Sequence, residues 1–359
     1  MKILHVSNFV QKHNGRLYWN MAFKINNGLT RLGHNVLSFS DRDIARENFL
    51  KSSRLGSNDA NKKLLLTCSN YKPDLIILGH ADIILNSTLE KISVDHPDCK
   101  IIMWNVDHLL MNNTLNKIQN RSKYVSNTFI TTGDKMISKS ALNGMQIHFI
   151  PNIFDKSIDD LTIFNNKKFQ YDIFFAMSHG VGSGVLKKGK TDGREKVLSD
   201  ISKNNKINEN FYGFNNIEPI WGNNFKVQIN KSMMGLNLSS GKCMHLYSSD
   251  RISSYIGNGL LTFIDSKYNF HELYNDKEVV FYKDNEELIE KIIYFKSNPE
   301  IAKNISKNGW IVSHDKYDTI KVCNFMINKT FKNIIQNHYW TDITLSLIHI
   351  SEPTRLGFI

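Results

Sequence analysis

Cysteine is scarce in this sequence, and the spacing of the few cysteines excludes two common kinds of site. The four cysteines lie far apart along the chain and form no C-x-x-C pair. Structural zinc sites and the disulfide frameworks of small secreted proteins both need closely spaced cysteines. We therefore expect neither a zinc site nor a disulfide-stabilised fold.

Long apolar runs are also missing. No run approaches the roughly 20 apolar residues that a transmembrane helix requires. Met1 leads straight into a short apolar strand rather than into a cationic segment followed by a long apolar one. Such a start does not resemble a secretory signal. We therefore expect a cytoplasmic protein.

The sequence has an excess of positive charge but no dense basic block. The formal net charge is +11, and a charge of this sign attracts nucleotides, nucleic acids or an acidic membrane face. The lysines are scattered among asparagine and serine and are not interleaved with aromatic residues, a pattern that argues against a nucleic-acid partner. Solvated surface lysines explain much of the excess equally well. A peripheral contact with an anionic membrane remains an additional expectation.

Length and composition indicate a protein of two ordinary domains. The chain has 359 residues, of which 41% are hydrophobic and 22% charged, and one core rarely fills a chain of this length. Short apolar runs alternate with stretches long enough for helices. In the first half these runs are residues 1–8, 35–40, 73–79, 100–105, 127–132 and 146–150. The alternation predicts a doubly wound α/β domain over residues 1–150, with ligands at the carboxyl ends of the strands.

A second strand-first pattern predicts a second domain of the same kind. After a polar linker at 151–168, the domain covers residues 169–317, with apolar runs at 171–177, 210–213, 234–238, 260–264 and 279–282. Helices are predicted at 285–295 and 299–308. A terminal helix within 318–340 is expected to return to the first domain. The fold class is therefore α/β, with two Rossmann-like domains facing a central cleft.

The last residues differ in character from the rest. Residues 345–359 contain Pro353 and Arg355 with no periodic pattern, and they resemble a translated sequencing adapter. We treat them as a non-native tail and leave them out of the fold prediction. We accordingly expect the natural C terminus to be missing from this sequence.

One segment of the second half carries a specific resemblance. Gly235-Leu236-Asn237 is followed by Arg251 and a polar helix that ends in a glycine pair, and then by an apolar strand. Further matching residues are Glu272-Leu273, the segment 282–288, and Asn308-Gly309-Trp310. In this order the pattern resembles the C-terminal domain of GT-B glycosyltransferases, in the group-1-like branch related to CgeB-type proteins. The resemblance implies a GT-B fold and a metal-independent, retaining sugar transfer from a nucleotide-diphosphate sugar as co-substrate, with no separate cofactor.

The resemblance has one departure. Where that branch has Phe-Glu, this sequence has Ser253-Ser254. The resemblance implies that the missing glutamate would hold the donor ribose, so that the Ser254 hydroxyl becomes the replacement contact. Arg251, Asn258 and Gly259 match the pattern and are assigned to the donor site on that basis.

The N-terminal half resembles the same enzymes more loosely. Asn8, Gly15 and the helix-to-strand corner at 28–36 are similar to their first βαβ unit. The segment 104–107 is similar to a w-x-x-D segment of the CgeB-like branch. These likenesses place Asn8 and Gly15 among the expected nucleotide-sugar contacts.

Two arginines are the candidates for the diphosphate leaving group. A helix N terminus with a guanidinium beside it holds phosphate well, and Arg251 begins the short polar helix. Arg194 follows a glycine- and lysine-rich loop that contains Gly182, and such loops let backbone N–H groups approach phosphate. A flexible surface loop is the alternative interpretation of this segment.

Asp107 and His108 are the candidates for acceptor activation. They follow a buried strand, and carboxylate and imidazole groups both deprotonate hydroxyls; a helix cap is the alternative for Asp107. Tyr247 is a candidate for stacking on a base or sugar, although packing would equally explain a lone aromatic. Asp41-Arg42-Asp43 has the D-x-D form of a metal site, but a cap with a salt bridge explains it better, so no metal ligand is assigned.

Three functions fit these residues. The first is a glycosyltransferase that acts on a glycan, lipid-linked or protein acceptor. The second is a GT-B-fold nucleotide-sugar epimerase, which needs several carboxylates and a histidine around the sugar. The third is a non-catalytic nucleotide- or sugar-binding subunit of a glycan assembly complex, an alternative supported by Ser253-Ser254.

Overall fold

The structure is a computed structural model in which residues 1–47, 50, 52–111, 113–133, 146–178, 193–333 and 338–340 are described. The N-terminal domain contains six parallel strands. They are β1 (Lys2–Ser7), β2 (Asn35–Ser40), β3 (Leu75–Gly79), β4 (Lys100–Asn105), β5 (Asn127–Ile130) and β6 (Gln146–Phe149), in the order β2-β1-β3-β4-β5-β6. The helices are α1 (Met21–Arg31), α2 (Asp41–Ala45), α3 (Ser57–Tyr71), α4 (Asn86–Asp95) and α5 (Thr114–Arg121).

The C-terminal domain has a five-stranded parallel sheet. Its strands are β7 (Tyr171–Ala176), β8 (Glu209–Tyr212), β9 (Ser232–Asn237), β10 (Leu261–Asp265) and β11 (Val280–Tyr282), in the order β11-β10-β9-β7-β8. Its helices are α6 (Arg194–Ser202), α7 (Gly222–Ile229), α8 (Arg251–Ile256), α9 (Asn285–Ser297) and α10 (Pro299–Lys316), and α11 (Thr319–Phe331) follows. The predicted α/β architecture with two doubly wound domains is confirmed.

Central strands of both sheets are buried on both faces, which explains their continuous apolar runs. Every residue of β3 and of β10 is buried, and helices cover both sides of such parallel sheets. The strand order in each domain reverses once, between β1 and β3 in the first and between β7 and β9 in the second. In doubly wound sheets ligands bind at this reversal, at the carboxyl ends of the strands.

Helix α10 is longer than the sequence pattern predicts. The prediction ended it at residue 308, whereas the helix continues through Gly309 to Lys316. A Cβ at position 309 would lie 2.2 Å from the Glu278 carbonyl oxygen. Glycine is therefore required here for a close contact with the neighbouring loop and not to end the helix.

The two domains are joined by two chain segments that pair with each other. The Phe154 backbone N–H donates to the Tyr317 carbonyl, and the Thr319 N–H donates to the Phe154 carbonyl. Helix α11 then packs against α1, where the Thr319 hydroxyl donates to the Lys24 carbonyl at 2.6 Å. The linker is not the exposed polar stretch expected, because Ile153, Phe154 and several of its other side chains are buried.

Asp41 is buried in a way that makes its charge costly. Its side chain is fully buried, and neither carboxylate oxygen has a hydrogen-bond partner in the described part of the chain. Asp43, by contrast, accepts hydrogen bonds from the backbone N–H groups of Gln11 and Lys12. The two carboxylates of the D-x-D segment thus serve separate structural purposes.

Burial raises the pKa of Asp41 from 3.8 to about 6, which has a measurable consequence for stability. Below pH 3.8 the carboxyl is protonated in both the folded and the unfolded state and costs nothing, whereas above pH 6 the folded state must bury a charge. Asp41→Asn should therefore raise the free energy of unfolding at pH 8 by up to about 3 kcal/mol. Urea unfolding at pH 8 and at pH 4 measures this, and a gain of equal size at both pH values would contradict it.

Candidate active site

Three neighbouring cavities share lining residues, and two of them are lined by both domains. The C-domain cavity, of about 220 Å³, is lined by Trp19, Arg251 and Ser254 among others. The junction cavity, of about 410 Å³, includes Ser7 and Asn8 in its lining. The N-domain chamber, of about 370 Å³, shares five lining residues with the junction cavity. These are His80, Asp82, Trp104, Asp107 and Lys117.

Arg251 lies at the strand reversal of the C-terminal domain. Its Nε donates to the Ala176 carbonyl at 3.2 Å and its Nη1 to the Leu238 carbonyl at 2.6 Å. Ala176 ends β7 and Leu238 follows β9, so the guanidinium bridges the two strands between which the order reverses. The same group lies over the Phe175 ring at 4.7 Å and lines the C-domain cavity. The charge is held rigidly where this fold binds ligands.

Arg194 lies close to Arg251. It begins α6 and is buried, with 8% of its surface exposed. Burial lowers the pKa of Arg251, and the nearby positive charge of Arg194 lowers it further. Two guanidinium groups held near each other raise the local positive potential. The sequence prediction paired these residues, and the fold brings them together although 57 positions separate them.

Asp250 is the residue that the sequence prediction missed. It lines both the C-domain cavity and the junction cavity, so it lies where the two halves of the cleft meet. Burial raises the pKa of its carboxyl, while the charges of Lys24 and His80 oppose that shift. Asp107 and Asp159 raise the pKa further. Its position directly before Arg251 in the polar loop was the available sequence signal.

Asp107 faces the cleft beside His80. Its carboxylate Oδ2 lies 3.4 Å from His80 Nδ1, and the Asp107 side chain is 52% exposed. Both residues line the junction cavity. His80 has a φ of 49° at the end of β3, a backbone strain that non-glycine residues adopt mostly at functional or tightly constrained positions. The pair therefore presents a carboxylate and an imidazole to the N-domain half of the cleft.

Trp104 forms the floor under this pair. Its ring meets the His80 ring edge-on, at 5.2 Å between centroids. A Cβ at position 79 would lie 2.0 Å from the indole, so only Gly79 lets the ring lie there. The indole N–H donates to His5 Nε2 at 3.0 Å, and burial lowers the pKa of His5 to about 4. A neutral histidine therefore fixes the tryptophan.

His108 does not present a nitrogen to the cleft. Its Nδ1 accepts from the Leu110 backbone N–H at 3.2 Å, and its Nε2 lies 2.7 Å from the Lys242 carbonyl oxygen. The carbonyl accepts only from a protonated Nε2, so Nε2 joins the two domains while Nδ1 is engaged within the N-terminal domain. Tyr247 is buried against this imidazole at 4.7 Å, and burial raises its pKa. Both residues therefore have packing roles, contrary to the predicted acceptor activation and base stacking.

Asn258 and Gly259 lie at the other end of α8, against the linker. The Asn258 side chain donates to the Ser254 carbonyl and accepts from the Leu161 N–H. Gly259 has a φ of 82°, and a Cβ there would lie 2.7 Å from Phe164. The described contacts of both residues are with α8 and the linker, and their binding of the donor stays a prediction.

The other predicted contacts divide between the cleft and the surface. Ser254 lines the C-domain cavity, and its hydroxyl donates to the Asp250 carbonyl at 3.2 Å. Asn8 lines the junction cavity. Gly15 lies in an exposed loop, with no atom within 4 Å of an added Cβ, so its predicted ligand contact is not supported. Gly182 lies outside the described residues.

A buried ion pair fixes the domains beside the cleft. Lys24 Nζ contacts the Asp159 carboxylate at 2.5 Å and the Ser253 hydroxyl at 3.3 Å. Lys24 belongs to α1, Asp159 to the linker and Ser253 to α8, so one ammonium group joins all three parts. Ser253, one of the two departures from the family pattern, is thus a partner in this contact. Breaking such a buried pair on one side is strongly destabilising.

Among the described residues, no group of three or more His, Cys, Asp or Glu side chains is arranged to hold a metal ion. No helix of the described part is long and apolar enough to cross a membrane. Among the residues that line the C-domain cavity, Arg251 supplies the positive charge for an anionic ligand at the strand reversal.

Comparisons with known proteins agree with this geometry. Residues 194–327 match the family model described as glycosyl transferase-like. A search of curated protein sequences found no match. The CgeB-like branch stays a prediction.

Several solved structures share the fold. Sucrose-phosphate synthase from Thermosynechococcus elongatus superposes with a TM-score of 0.58 at 9% identity, over 92% of this chain and 98% of that one. A glycosyltransferase from Rickettsia africae gives 0.56 at 13% identity, over 93% and 99%. HepE from Anabaena, in complex with UDP and glucose, gives 0.51 at 13% identity, over 92% and 99%. This chain therefore has the GT-B fold, and its residues 194–327 are similar to the glycosyl transferase-like family.

Proposed function

We propose that the protein transfers a sugar from a nucleotide-diphosphate sugar to an acceptor hydroxyl, without a metal ion. The observation that carries this proposal is the position of Arg251 at the strand reversal, with Arg194 beside it. Fixed positive charge at this point stabilises a diphosphate as it leaves. The proposal therefore assigns to guanidinium groups the role that a metal ion has in other transferases.

The donor is proposed to lie in the C-domain cavity. Trp19, Trp221 and Phe225 line it together with Arg251, and Trp19 stacks on Phe225 with 5.7 Å between ring centroids. Aromatic faces bind bases and sugars well. The complex of HepE with UDP and glucose supports a uridine nucleotide as the first donor to test.

The acceptor is proposed to enter from the N-domain side. The Asp107 carboxylate, with His80 at 3.4 Å, takes the proton of the acceptor hydroxyl. The acceptor oxygen then bonds to the anomeric carbon, and the bond from that carbon to the diphosphate oxygen breaks, releasing the nucleotide diphosphate. Asp250, between the two halves, faces the positive charge that develops on the transferring sugar. Attack from the face on which the diphosphate leaves would retain the configuration, and retention is the first outcome to test because a trehalose-6-phosphate synthase that shares the fold is described as transferring with retention.

A specific observation keeps the epimerase as a second candidate. Asp107, Asp250 and His80 lie on one junction cavity, which is the set of carboxylates and histidine that an epimerase requires. The products formed without acceptor distinguish the two functions. An epimerase converts the donor into its epimer, whereas a transferase at most hydrolyses it slowly.

The proposal is tested by ligand binding and product analysis together. UDP, GDP and their glucose, galactose and mannose derivatives should include at least one ligand that raises the melting temperature, because binding to the native state stabilises it. The stabilising sugar nucleotide should then be consumed faster when acceptors are added, with release of the nucleotide diphosphate. A nucleotide that binds but is never turned over would favour the non-catalytic subunit. No stabilisation by any of them would contradict the proposal.

A further inference from the structure

The N-domain chamber differs from the junction cavity in the polar groups that it offers. In the junction cavity, Ser7 Oγ and Asn8 Oδ1 are buried and have no hydrogen-bond partner among the described residues. Buried polar atoms without partners are rare and costly. They are therefore suited to hydroxyl groups of a sugar bound there.

Several polar side chains of the chamber are already engaged in hydrogen bonds within the protein. Away from the boundary with the junction cavity, four of them donate to backbone carbonyls of the protein. The bonds are Asn86 to Asn120, Asn105 to Asp107, Thr114 to Met111, and Arg121 to both Ala81 and Ile84. A sugar in this chamber would gain few hydrogen bonds to replace those it makes with water.

Apolar side chains form part of the chamber wall and can contact a ligand there. Leu78, Ile84, Met103 and Ile118 line it and are at most 8% exposed. Leu85 lines it as well and is 44% exposed, so it lies near the solvent. Apolar lining with a few fixed polar groups at one end is typical of sites for apolar small molecules.

The charged side chains between the N-domain chamber and the junction cavity do not oppose the binding of an apolar group in the chamber. Asp82 is paired with Arg42 and lies 3.8 Å from the Lys117 ammonium. Its charge is therefore balanced by two cations. Asp107 stands at the same boundary, so a hydroxyl attached to an apolar group in the chamber would meet the proposed base.

We infer that the acceptor carries a compact alkyl or aryl group next to its reacting hydroxyl, and that the N-domain chamber binds this group. The inference rests on the proposed function and names the class of its acceptor. A volume of about 370 Å³ corresponds to roughly a dozen water-sized groups. A short alkyl chain or an aromatic ring fits this volume, and a long oligosaccharide does not.

The test compares probes that differ only in their apolar part. Hexyl and methyl β-D-glucoside, and the same pair of galactosides, are titrated into the full chain by calorimetry. The hexyl compounds should bind at least tenfold more tightly with either sugar, because burial of methylene groups favours binding. Equal affinities within both pairs would overturn the inference.

A pair of variants tests whether the preference for hexyl glycosides arises in the N-domain chamber. Leu85→Asp places a charge in the chamber at the N-cap of α4, a position that favours aspartate, so the fold is preserved. Val94→Asp, on the same helix at 74% exposure, is the matched control. The hexyl preference should fall at least fivefold in the first variant and be unchanged in the second. An unchanged preference in Leu85→Asp would contradict the assignment.

The two proposals fail separately. The nucleotide-induced rise in melting temperature tests the donor site and does not involve Leu85. If it is absent while the hexyl preference is present, the proposed sugar transfer is wrong and the apolar chamber stands. If it is present without a hexyl preference, the acceptor class is wrong and the donor site stands.

Discussion

Arg251→Ala should reduce the rate of sugar transfer by about 10²–10³-fold, because it removes fixed positive charge from the departing diphosphate. It should also abolish the rise in melting temperature that the stabilising nucleotide causes. Initial rates and thermal shifts measure both effects. Arg54→Ala, which removes the same charge from an exposed position, is the matched control and should leave both unchanged.

Arg251→Ala also has a structural cost that the sequence did not reveal. The variant leaves the Ala176 and Leu238 carbonyls without their partner, and each buried group left without a hydrogen bond costs about 1–3 kcal/mol. Activity must therefore be compared at a temperature where urea unfolding shows the variant to be folded. Arg251→Lys keeps the charge but not the two-carbonyl bridge. Turnover at the wild-type level in folded Arg251→Ala would refute the assignment.

Asp250→Asn should also lower the transfer rate by about 10²-fold or more, because the carboxylate faces the charge that develops on the transferring sugar. The amide has nearly the same shape, so the cavities on both sides of it should keep their form. Nucleotide binding should change little, since Arg251 and Arg194 are intact. A variant with wild-type activity would remove Asp250 from the mechanism.

The same variant should be more stable than the wild type, with a defined pH dependence. Burial raises the pKa of Asp250, so the folded state disfavours its charge. The penalty is absent at a pH below the pKa of the unfolded carboxyl and becomes complete as the pH rises through the folded value. Asp250→Asn should therefore raise the melting temperature at pH 8 and lose that gain under acidic conditions. Asp98→Asn, at an exposed carboxylate, should show no such gain.

The sequence determined the fold almost completely. Parallel strands buried on both faces need continuous apolar runs, and all eleven predicted runs overlap strands of the described sheets. The polar stretch at 151–168 lies between the two groups of apolar runs. It indicated where the first domain ends and the second begins. Arg251 and Asp107 were also recognisable, because Arg251 begins a short polar helix and Asp107 follows a buried strand at the ligand edge of such a sheet.

Only the tertiary structure decided which polar residues face the cleft. Helix α8 is short, and the sequence could not show that its first turn faces the ligand side while Asn258 and Gly259 face the linker. His108 follows Asp107 directly, yet its ring bonds to the Lys242 carbonyl in the other domain. These side-chain hydrogen bonds join residues 97 and 134 positions apart, and local sequence patterns contain no record of them.

The position of Asp250 in the cleft could not be predicted from the sequence either. Its functional interest comes from the cavities that it joins and from the charges of Lys24, His80 and Asp107 around it, and these charges belong to three different parts of the N-terminal domain. The sequence determined which side chains were available at the strand ends. Packing of the two domains decided which of them meet, because burial and electrostatic interaction depend on distance in space and not on separation along the chain.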